Sequence, residues 1–424
     1  MPTILMMVFT SIYSVVDGLF VSNFAGEVQF SAVNFSMPLL MMLSTVGFMF
    51  GSGGSALISK TLGEGSPEKA NRQFSLFVYF TAGTGVVIGA AAFVLMRPLL
   101  TLMGAEGELL ENSVVYSRII IASLPFSVLQ VAFQSYCSVA ERSKLGLYIT
   151  LASGVGNMVL DAFFVGLLGW GLVGAAAATS VSMFIGGALP LLYFGRKNDS
   201  LLRLGRTKFE GKTLLRGAAN GASEMLSNLT SSLVGMLYNL QLLRFAGESG
   251  IAAYGVLMYV NFIFISIFIG FTIGTTPIIG FHYGAQNHAE LKNLRRKSMI
   301  FVSCTALVML ALAELLSGPI TRVFVGYSEE LCAMTHRAFT IFSVSFPFAG
   351  LGIFASAFFT ALNNGLVSGI LSAARSLVFQ VAAIFTLPLI FGTDGIWMSC
   401  TAAEFAAAAT AMIFLVCLKR KYQY

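Results

Sequence analysis

The sequence predicts an all-α integral membrane protein whose twelve transmembrane helices form two pseudo-symmetric six-helix lobes. Three observations support this fold class: the composition, an internal duplication and the distribution of basic residues. Of the 424 residues, 56% are hydrophobic and 10% are charged, whereas about 25% of the residues of a soluble domain are charged. Apolar stretches of the roughly 20 residues that a membrane span requires fill nearly the whole chain.

The second observation is an internal duplication: the two halves of the sequence resemble each other. The segment Phe24–Glu27 recurs 221 residues later as Phe245–Glu248. Other matched pairs, some at a slightly larger offset, are Gly53 and Gly274, Gly63 and Gly284, Pro125 and Pro347, and Gly171 and Gly395. This period is far longer than that of solenoid repeats, so it indicates a duplicated half-protein. Apolar halves joined as parallel repeats are a recurrent plan of membrane transporters, with the ligand path between them.

The apolar windows place the twelve spans. They are predicted at roughly 2–25, 30–57, 74–96, 110–138, 145–168, 171–194, 219–245, 251–281, 298–318, 334–362, 366–391 and 395–417. The amino-terminal lobe is residues 1–194, a polar and basic cytoplasmic linker is 195–218, and the carboxy-terminal lobe is 219–424. The first span lacks the cationic start and the cleavage site of a secretory signal, so we expect it to be retained.

The basic residues predict the orientation. Nineteen of the 25 Lys and Arg residues lie in the even-numbered loops, including the linker, or in the carboxy-terminal tail. Because basic loops stay on the cytoplasmic side, both termini are expected to be cytoplasmic. The net charge of +6 therefore reflects topology, and since the charges form no single basic face, no nucleic-acid partner is expected. The five cysteines are scattered and show neither metal-ligand spacing nor a disulfide framework.

Ionisable residues inside the spans are the candidates for function, because a carboxylate is costly to bury in a membrane. Asp17 in helix one, Asp161 in helix five and Thr179 in helix six all lie roughly 12 Å below the outer face, at a rise of about 1.5 Å per residue. Asn157 precedes Asp161 by one helical turn. Such oxygen ligands suit a proton or a small hard cation such as Na+, and one of the acids could exchange a proton near physiological pH. A structural hydrogen-bond network between the three helices is the alternative.

The duplication favours a functional role for the two acids. At the repeat-equivalent positions, Asp17 is replaced by Tyr238, and Asp161 by Ala383 or its neighbour. If the acids only stabilised the fold, the second half would be expected to keep them. The titrating site is therefore predicted to be confined to the amino-terminal half.

Other charged and aromatic residues in the spans are assigned weaker roles. Glu224 lies near the inner end of helix seven, and Arg375 and Glu404 are expected to form an ion pair between helices eleven and twelve. Tyr13, one turn from Asp17, and Tyr116 are candidates for lining a cavity. Because no nucleophile–base pair, metal-ligand spacing or phosphate loop occurs at membrane depth, the protein is not expected to be an enzyme.

Six further features of the sequence are the motifs Ser14–Val21, Gly63–Gly65 followed by Ala70, Asn157–Asp161, Gly171–Thr179, Tyr283–Asn287 and Gly395–Trp397. With these motifs the chain resembles the multidrug and toxic compound extrusion (MATE) transporters, in particular their bacterial DinF-like branch, and the similarity covers essentially the whole chain. The resemblance implies two six-helix lobes around a central cavity, with the coupling cation in the amino-terminal lobe. The residues it assigns to that cation are Asp17, Asn157, Asp161 and Thr179, with Tyr13 and Tyr116 near the same pocket. Some relatives place a glutamate about two turns away from Glu224 on helix seven, so that role is not transferred, and Glu224 is a cavity candidate from its own position alone.

The function that the resemblance implies is secondary-active antiport. Lipophilic, often cationic compounds would be exported in exchange for H+ or Na+, without a cofactor and without any metal other than Na+ at those four residues. We expect a monomer in the bacterial inner membrane, with membrane lipid as its other partner. Relatives usually carry a short cytosolic segment before helix one, so the start is expected to be truncated. The alternative is a flippase for lipid-linked sugars or peptidoglycan precursor, which the scarcity of Arg and Lys in the spans disfavours.

Overall fold

The computed structural model describes residues 1–24, 27–326 and 328–424, which are almost entirely helical. Twelve long helices account for nearly all of this part of the chain. They are α1 (Pro2–Phe24), α2 (Glu27–Gly63), α3 (Pro67–Leu102), α4 (Gly107–Ala122 and Leu124–Val139), α5 (Ser143–Asp161 and Ala162–Leu167), α6 (Gly171–Gly195), α7 and α8 (together Gly211–Gly284), α9 (His288–Val325), α10 (Glu329–Ser343 and Phe346–Ala361), α11 (Gly365–Ala373, Ala374–Val378 and Phe379–Phe391) and α12 (Thr393–Cys417). A short helix, Lys419–Tyr422, follows α12.

The order of the helices agrees with the twelve predicted spans. Within the described residues, eight helices are long and apolar enough to cross a membrane, and α4 and α10 also qualify as bent pairs; α1 and α7 complete the twelve. Several helices extend beyond the predicted spans, because a helix can continue into water after its apolar stretch ends. Thus α2 reaches Gly63, and the helix containing α7 begins at Gly211, inside the segment predicted as linker.

Two helices are bent at equivalent places in the two lobes. The two parts of α4 meet at 58° and the two parts of α10 at 46°. Pro125 and Pro347 lie in the first turn of the second part of each helix. Proline removes a backbone donor and clashes with the preceding turn, so it interrupts the helix there. The sequence comparison matched these prolines as repeat partners but did not predict the bends.

A glycine separates α7 from α8. Gly247 has φ 65° and ψ −156°, a backbone conformation that residues with a Cβ rarely adopt. Gly247 belongs to the repeated segment Phe245–Glu248. Its counterpart Gly26, together with Ala25, where helix one was predicted to end, lies outside the described residues.

Each lobe has its own apolar core. Two buried clusters are built only from residues before 215, one around Phe74, Phe133 and Tyr136 and the other around Tyr116 and Leu100. Two further clusters are built only from residues after 233, around Trp397 and Phe358 respectively.

The segment after α6 is irregular from residue 196 to 210 and is held against the start of α3. The backbone N–H of Arg203 donates to Asn71 Oδ1 over 2.7 Å, and the N–H of Gly205 donates to Ser75 Oγ over 3.0 Å. This segment, the α2–α3, α4–α5, α8–α9 and α10–α11 loops and the chain end lie on one side of the molecule, called here the basic face.

Candidate cation site

Four polar side chains from three helices meet in the amino-terminal lobe. Asp17 comes from α1, Asn157 and Asp161 from α5, and Thr179 from α6. The side chains of Asp161, Asn157 and Thr179 face the Asp17 carboxyl group closely enough to interact with it as hydrogen-bonding groups. The exposed fractions are 9% for Asp17, 2% for Asn157 and 0% for Asp161. The structure thus brings together the four residues that were selected for their depth; their role in coupling stays a prediction.

The polar atoms of this cluster lie close together, but several of them lack a hydrogen-bond partner in the described part of the chain. No described residue makes a hydrogen bond of good geometry with five buried atoms: Asp17 Oδ1, Asn157 Nδ2, Asp161 Oδ1 and Oδ2, and Thr179 Oγ1. A buried polar atom without a partner costs about 1–3 kcal/mol. A proton shared by the carboxyl groups, or a small cation bound by the oxygens, would remove most of this cost. The described residues contain no group of three or more His, Cys, Asp and Glu that could hold a metal, so the mixed oxygen set suits a proton or Na+ better than a transition metal.

A glycine lets α1 approach α5 at this site. A methyl group on Gly154 would lie 2.6 Å from the Phe9 ring and 2.8 Å from the Tyr13 ring. Only glycine therefore allows these two aromatic side chains of α1 to lie directly on α5. Asp17 is one turn beyond Tyr13, so this contact positions its carboxyl group beside Asp161.

The helix carrying Asp161 changes its hydrogen-bonding pattern immediately after that residue. Ala162–Leu167 is a π-helical segment, and Phe164 in it stacks on Trp170 with ring centroids 5.0 Å apart. Short π segments within α-helices occur frequently at functional sites. Nothing in the sequence indicated this segment, because hydrophobic periodicity is weak in a helix that is apolar on most sides.

The two tyrosines predicted near the site are both close to the acids. Tyr13 interacts electrostatically with Asp17, and Tyr116 with both Asp17 and Asp161. Tyr116 is only 1% exposed and belongs to an apolar core cluster of the first lobe, so in this conformation it does not line an open cavity. Tyr13 is half-buried.

The equivalent place in the carboxy-terminal lobe holds a neutral pair. Tyr238, the counterpart of Asp17, donates from its hydroxyl to Gln380 Oε1 over 2.9 Å, and Gln380 lies close to the repeat equivalent of Asn157. Tyr238 also stacks on Tyr254, with centroids 5.3 Å apart and an angle of 2°. This position is thus occupied by hydrogen-bonded and stacked groups, and the sequence comparison had missed Gln380.

Glu224 is not part of the acidic cluster. It is half-buried in the other lobe, where it interacts electrostatically with Arg375 of α11. Arg375 Nε in turn donates to Glu404 Oε2 of α12 over 2.8 Å, which confirms the predicted interhelical ion pair. In the first lobe, the corresponding helices α5 and α6 are joined by Ser153 and Ser182, whose hydroxyls are 2.8 Å apart. Two hydroxyls thus join this helix pair in the first lobe, and an ion pair joins its counterpart in the second.

Comparison with known proteins identifies the family. The chain matches the model of the MatE family over residues 2–163 and 224–386, one match in each lobe. The multidrug export protein MepA of Staphylococcus haemolyticus is 23% identical over 423 residues, covering 99% of this chain and 92% of that protein. A crystal structure of MATE in complex with MaL6 has a TM-score of 0.95 at 23% identity and covers 100% of this chain and 95% of that chain. An outward-facing multidrug resistance MATE family transporter has a TM-score of 0.94 at 22% identity, with coverages of 100% and 94%.

These similarities confirm the twelve-helix, two-lobe fold class. The family match includes both halves of the duplication and covers most of the chain. Together with its apolar helices, it makes the chain a membrane protein. The chain belongs to the multidrug and toxic compound extrusion family of transporters.

Proposed function

We propose that this protein is a secondary-active antiporter that exports lipophilic, often cationic compounds in exchange for H+ or Na+. The observation that carries the proposal is the buried cluster of Asp17, Asn157, Asp161 and Thr179, with its five unsatisfied polar atoms. A reversible ligand that supplies positive charge explains why such a costly arrangement lies inside the membrane. The naming of a similar protein as a multidrug export protein supports the substrate class.

The proposed cycle couples the two ligands through the conformation of α1. The cation enters from the outer side and binds at the carboxyl groups of Asp17 and Asp161, adding one positive charge to the pair. The contact of α1 with α5 at Gly154 then changes, α1 bends, and the affinity of the cavity for the exported compound falls. The lobes next rotate and the cation leaves to the cytosol. Coupling requires that cation and compound prefer different conformations, since equal binding to both shifts no equilibrium.

The cavity between the lobes is the proposed substrate site. Tyr13 presents an aromatic face that attracts organic cations, and movement of α1 would uncover Tyr116 beside it. Glu224 in the opposite lobe would attract the positive end of the compound. In the proposed orientation, the basic face and both termini are in the cytoplasm and the acidic cluster is nearer the outer side of the bacterial inner membrane.

The proposal is tested by ethidium efflux from reconstituted vesicles, with pH and Na+ gradients imposed separately. Wild type is compared with Asp17→Asn and Asp161→Asn, and with Glu111→Gln as a matched control. Glu111 forms an exposed ion pair with Arg97 and is not one of the four residues of the cluster. Efflux that follows one gradient and is lost in both Asp variants but not in the control would establish antiport and identify the ion.

Two results would contradict the proposal. Full gradient-driven efflux in both Asp variants would remove the cluster from coupling and direct attention to Glu224. Absence of efflux from folded wild-type protein under either gradient would favour the flippase alternative. The structure disfavours a flippase, because the guanidinium of Arg375 is already paired with Glu404 and is not free to bind a diphosphate.

A further inference from the structure

The two lobes touch each other through residues related by the internal duplication. Near the basic face, α2 of the first lobe crosses α8 of the second. A methyl group on Gly280 would lie 3.2 Å from Ser59 Cβ, and position 280 is the repeat equivalent of position 59. A residue in contact with its own repeat equivalent marks the pseudo-two-fold axis that relates the lobes.

Two reciprocal glycine contacts flank this axis. A methyl group on Gly63 would lie 1.9 Å from the carbonyl oxygen of Phe281, and a methyl group on Gly284 would lie 2.0 Å from the carbonyl oxygen of Lys60. Gly63 is the repeat equivalent of Gly284, and Lys60 is that of Phe281. The same backbone contact is therefore made twice, once in each direction, at the end of α2 and the end of α8.

Neither contact can accommodate a side chain without moving the helices apart. The group that would be struck is backbone in both cases, and it lies inside a helix, so it cannot rotate away as a side chain could. The contact also crosses between lobes, whereas each lobe has a separate core. Two further contacts join the lobes at the same level. Asn363 Nδ2 donates to the carbonyl of Ala56 over 3.3 Å, and Lys60 Nζ lies 5.5 Å from the centre of the Tyr283 ring.

We propose that Gly63 and Gly284 form a symmetric latch that holds the basic face closed. The latch is formed while the lobes are in contact at this face and is broken when they separate there to open the cavity to this side. Its two halves contribute equally, because the duplication makes them the same contact. This inference rests on the proposed function only in assuming that the lobes alternate between two arrangements.

The first test measures the distance between the lobes at the basic face. Spin labels are placed at positions 69 and 292, which are exposed on α3 and α9, in a chain whose five cysteines are replaced. Gly63→Ala and Gly284→Ala are each expected to raise the ratio of open to closed protein about fivefold or more. The two single variants should shift the ratio equally, and the double variant further.

Two matched glycines serve as controls on the same helices. The methyl group added by Gly255→Ala in α8 would have no atom of the described residues within 4 Å. The three atoms nearest to the methyl group added by Gly51→Ala in α2 belong to Ala132 of the same lobe, the closest at 2.9 Å. Gly255→Ala should change neither the melting temperature nor the 69–292 distances, and Gly51→Ala should lower the melting temperature without changing those distances. If folded Gly63→Ala or Gly284→Ala protein keeps the wild-type distances, or if Gly51→Ala shifts them equally, the latch is refuted.

A disulfide gives a second test, which traps the closed arrangement and does not weaken it. Ser59→Cys with Gly280→Cys places two Cβ atoms about as far apart as in a disulfide, roughly 3.5–4.5 Å, after a small adjustment. Oxidation should trap the closed basic face and stop ethidium efflux, and a reductant should restore it. Undiminished efflux from the crosslinked protein would overturn the latch. If the reduced protein shows no efflux, the proposed function fails, and the spin-label distances alone decide on the latch.

Discussion

Replacing Arg375 should destabilise the carboxy-terminal lobe much more than replacing its partner. The ion pair between Arg375 and Glu404 joins α11 to α12 over 2.8 Å, and the two side chains are 20% and 7% exposed. Arg375→Met leaves the Glu404 carboxylate buried without a cation, which typically costs about 3–5 kcal/mol. Glu404→Gln keeps a carbonyl oxygen for Arg375, and Glu224 remains as a counter-charge, so a loss of about 1 kcal/mol is expected.

The double variant separates the charge effect from the packing effect. Arg375→Met with Glu404→Gln buries no charge, so its total cost should be about 1–2 kcal/mol, less than that of Arg375→Met alone. The resulting coupling energy of roughly 2–5 kcal/mol reaches above the range of about 0.5–3 kcal/mol for residues in direct contact, because this contact is a buried ion pair. The first lobe supports this expectation, because two neutral hydroxyls, those of Ser153 and Ser182, join the corresponding helices α5 and α6 there.

The assay is equilibrium unfolding in detergent, followed by the fluorescence of Trp397. This residue is 2% exposed in the core of the second lobe, and the only other tryptophan, Trp170, can be replaced by Phe. Arg97→Met is the control, because it breaks an ion pair whose side chains are 52% and 58% exposed, worth no more than about 1 kcal/mol. A cost of Arg375→Met no larger than that of the control, or a double variant less stable than Arg375→Met, would refute the reasoning.

Three further expectations concern the site and its counterpart. Tyr238→Phe should cost about 1–3 kcal/mol in the same unfolding assay, because it leaves buried Gln380 without its donor, while the ion dependence of efflux stays unchanged. Gly154→Val should reduce ethidium efflux at least about tenfold by forcing α1 away from α5, an overpacking effect. Gly156→Ala should not reduce efflux, because the atom nearest to its added methyl group would be 3.7 Å away. Asn157→Leu should raise the cation concentration for half-maximal efflux about tenfold or more, equal to about 1.4 kcal/mol; an unchanged concentration would exclude its amide as a ligand.

The sequence predicted those features that depend on composition and on position along a helix. Twelve apolar windows identified the helices, and counting residues from the helix ends placed Asp17, Asp161 and Thr179 at one depth. The structure brings these residues into one cluster. Depth can be calculated without a structure because the rise per residue of a helix is constant.

The features that were missed depend on rotation about the helix axis and on contacts between helices. In a helix that is apolar on most sides, the sequence does not show which side faces a neighbour. Glu224 was therefore assigned by depth alone, whereas the structure places it beside Arg375. The π segment after Asp161 leaves no trace in the hydrophobic pattern. The bends at Pro125 and Pro347 had a sequence signal, since proline interrupts helices, but it was used only to align the repeats.

The duplication explains where the two lobes differ and where they agree. A residue inside one lobe contacts only its own copy of the fold, so its replacement leaves the other copy unaffected. Accordingly, Asp17 faces Asn157 in one lobe, whereas Tyr238 bonds to Gln380 in the other. At the pseudo-two-fold axis each half packs against the other, and a side chain at either glycine would strike the opposite backbone. Gly63 and Gly284 are thus held to the same residue by geometry, while the polar positions within the lobes differ, with an acidic cluster in one lobe and a neutral hydrogen-bonded pair in the other.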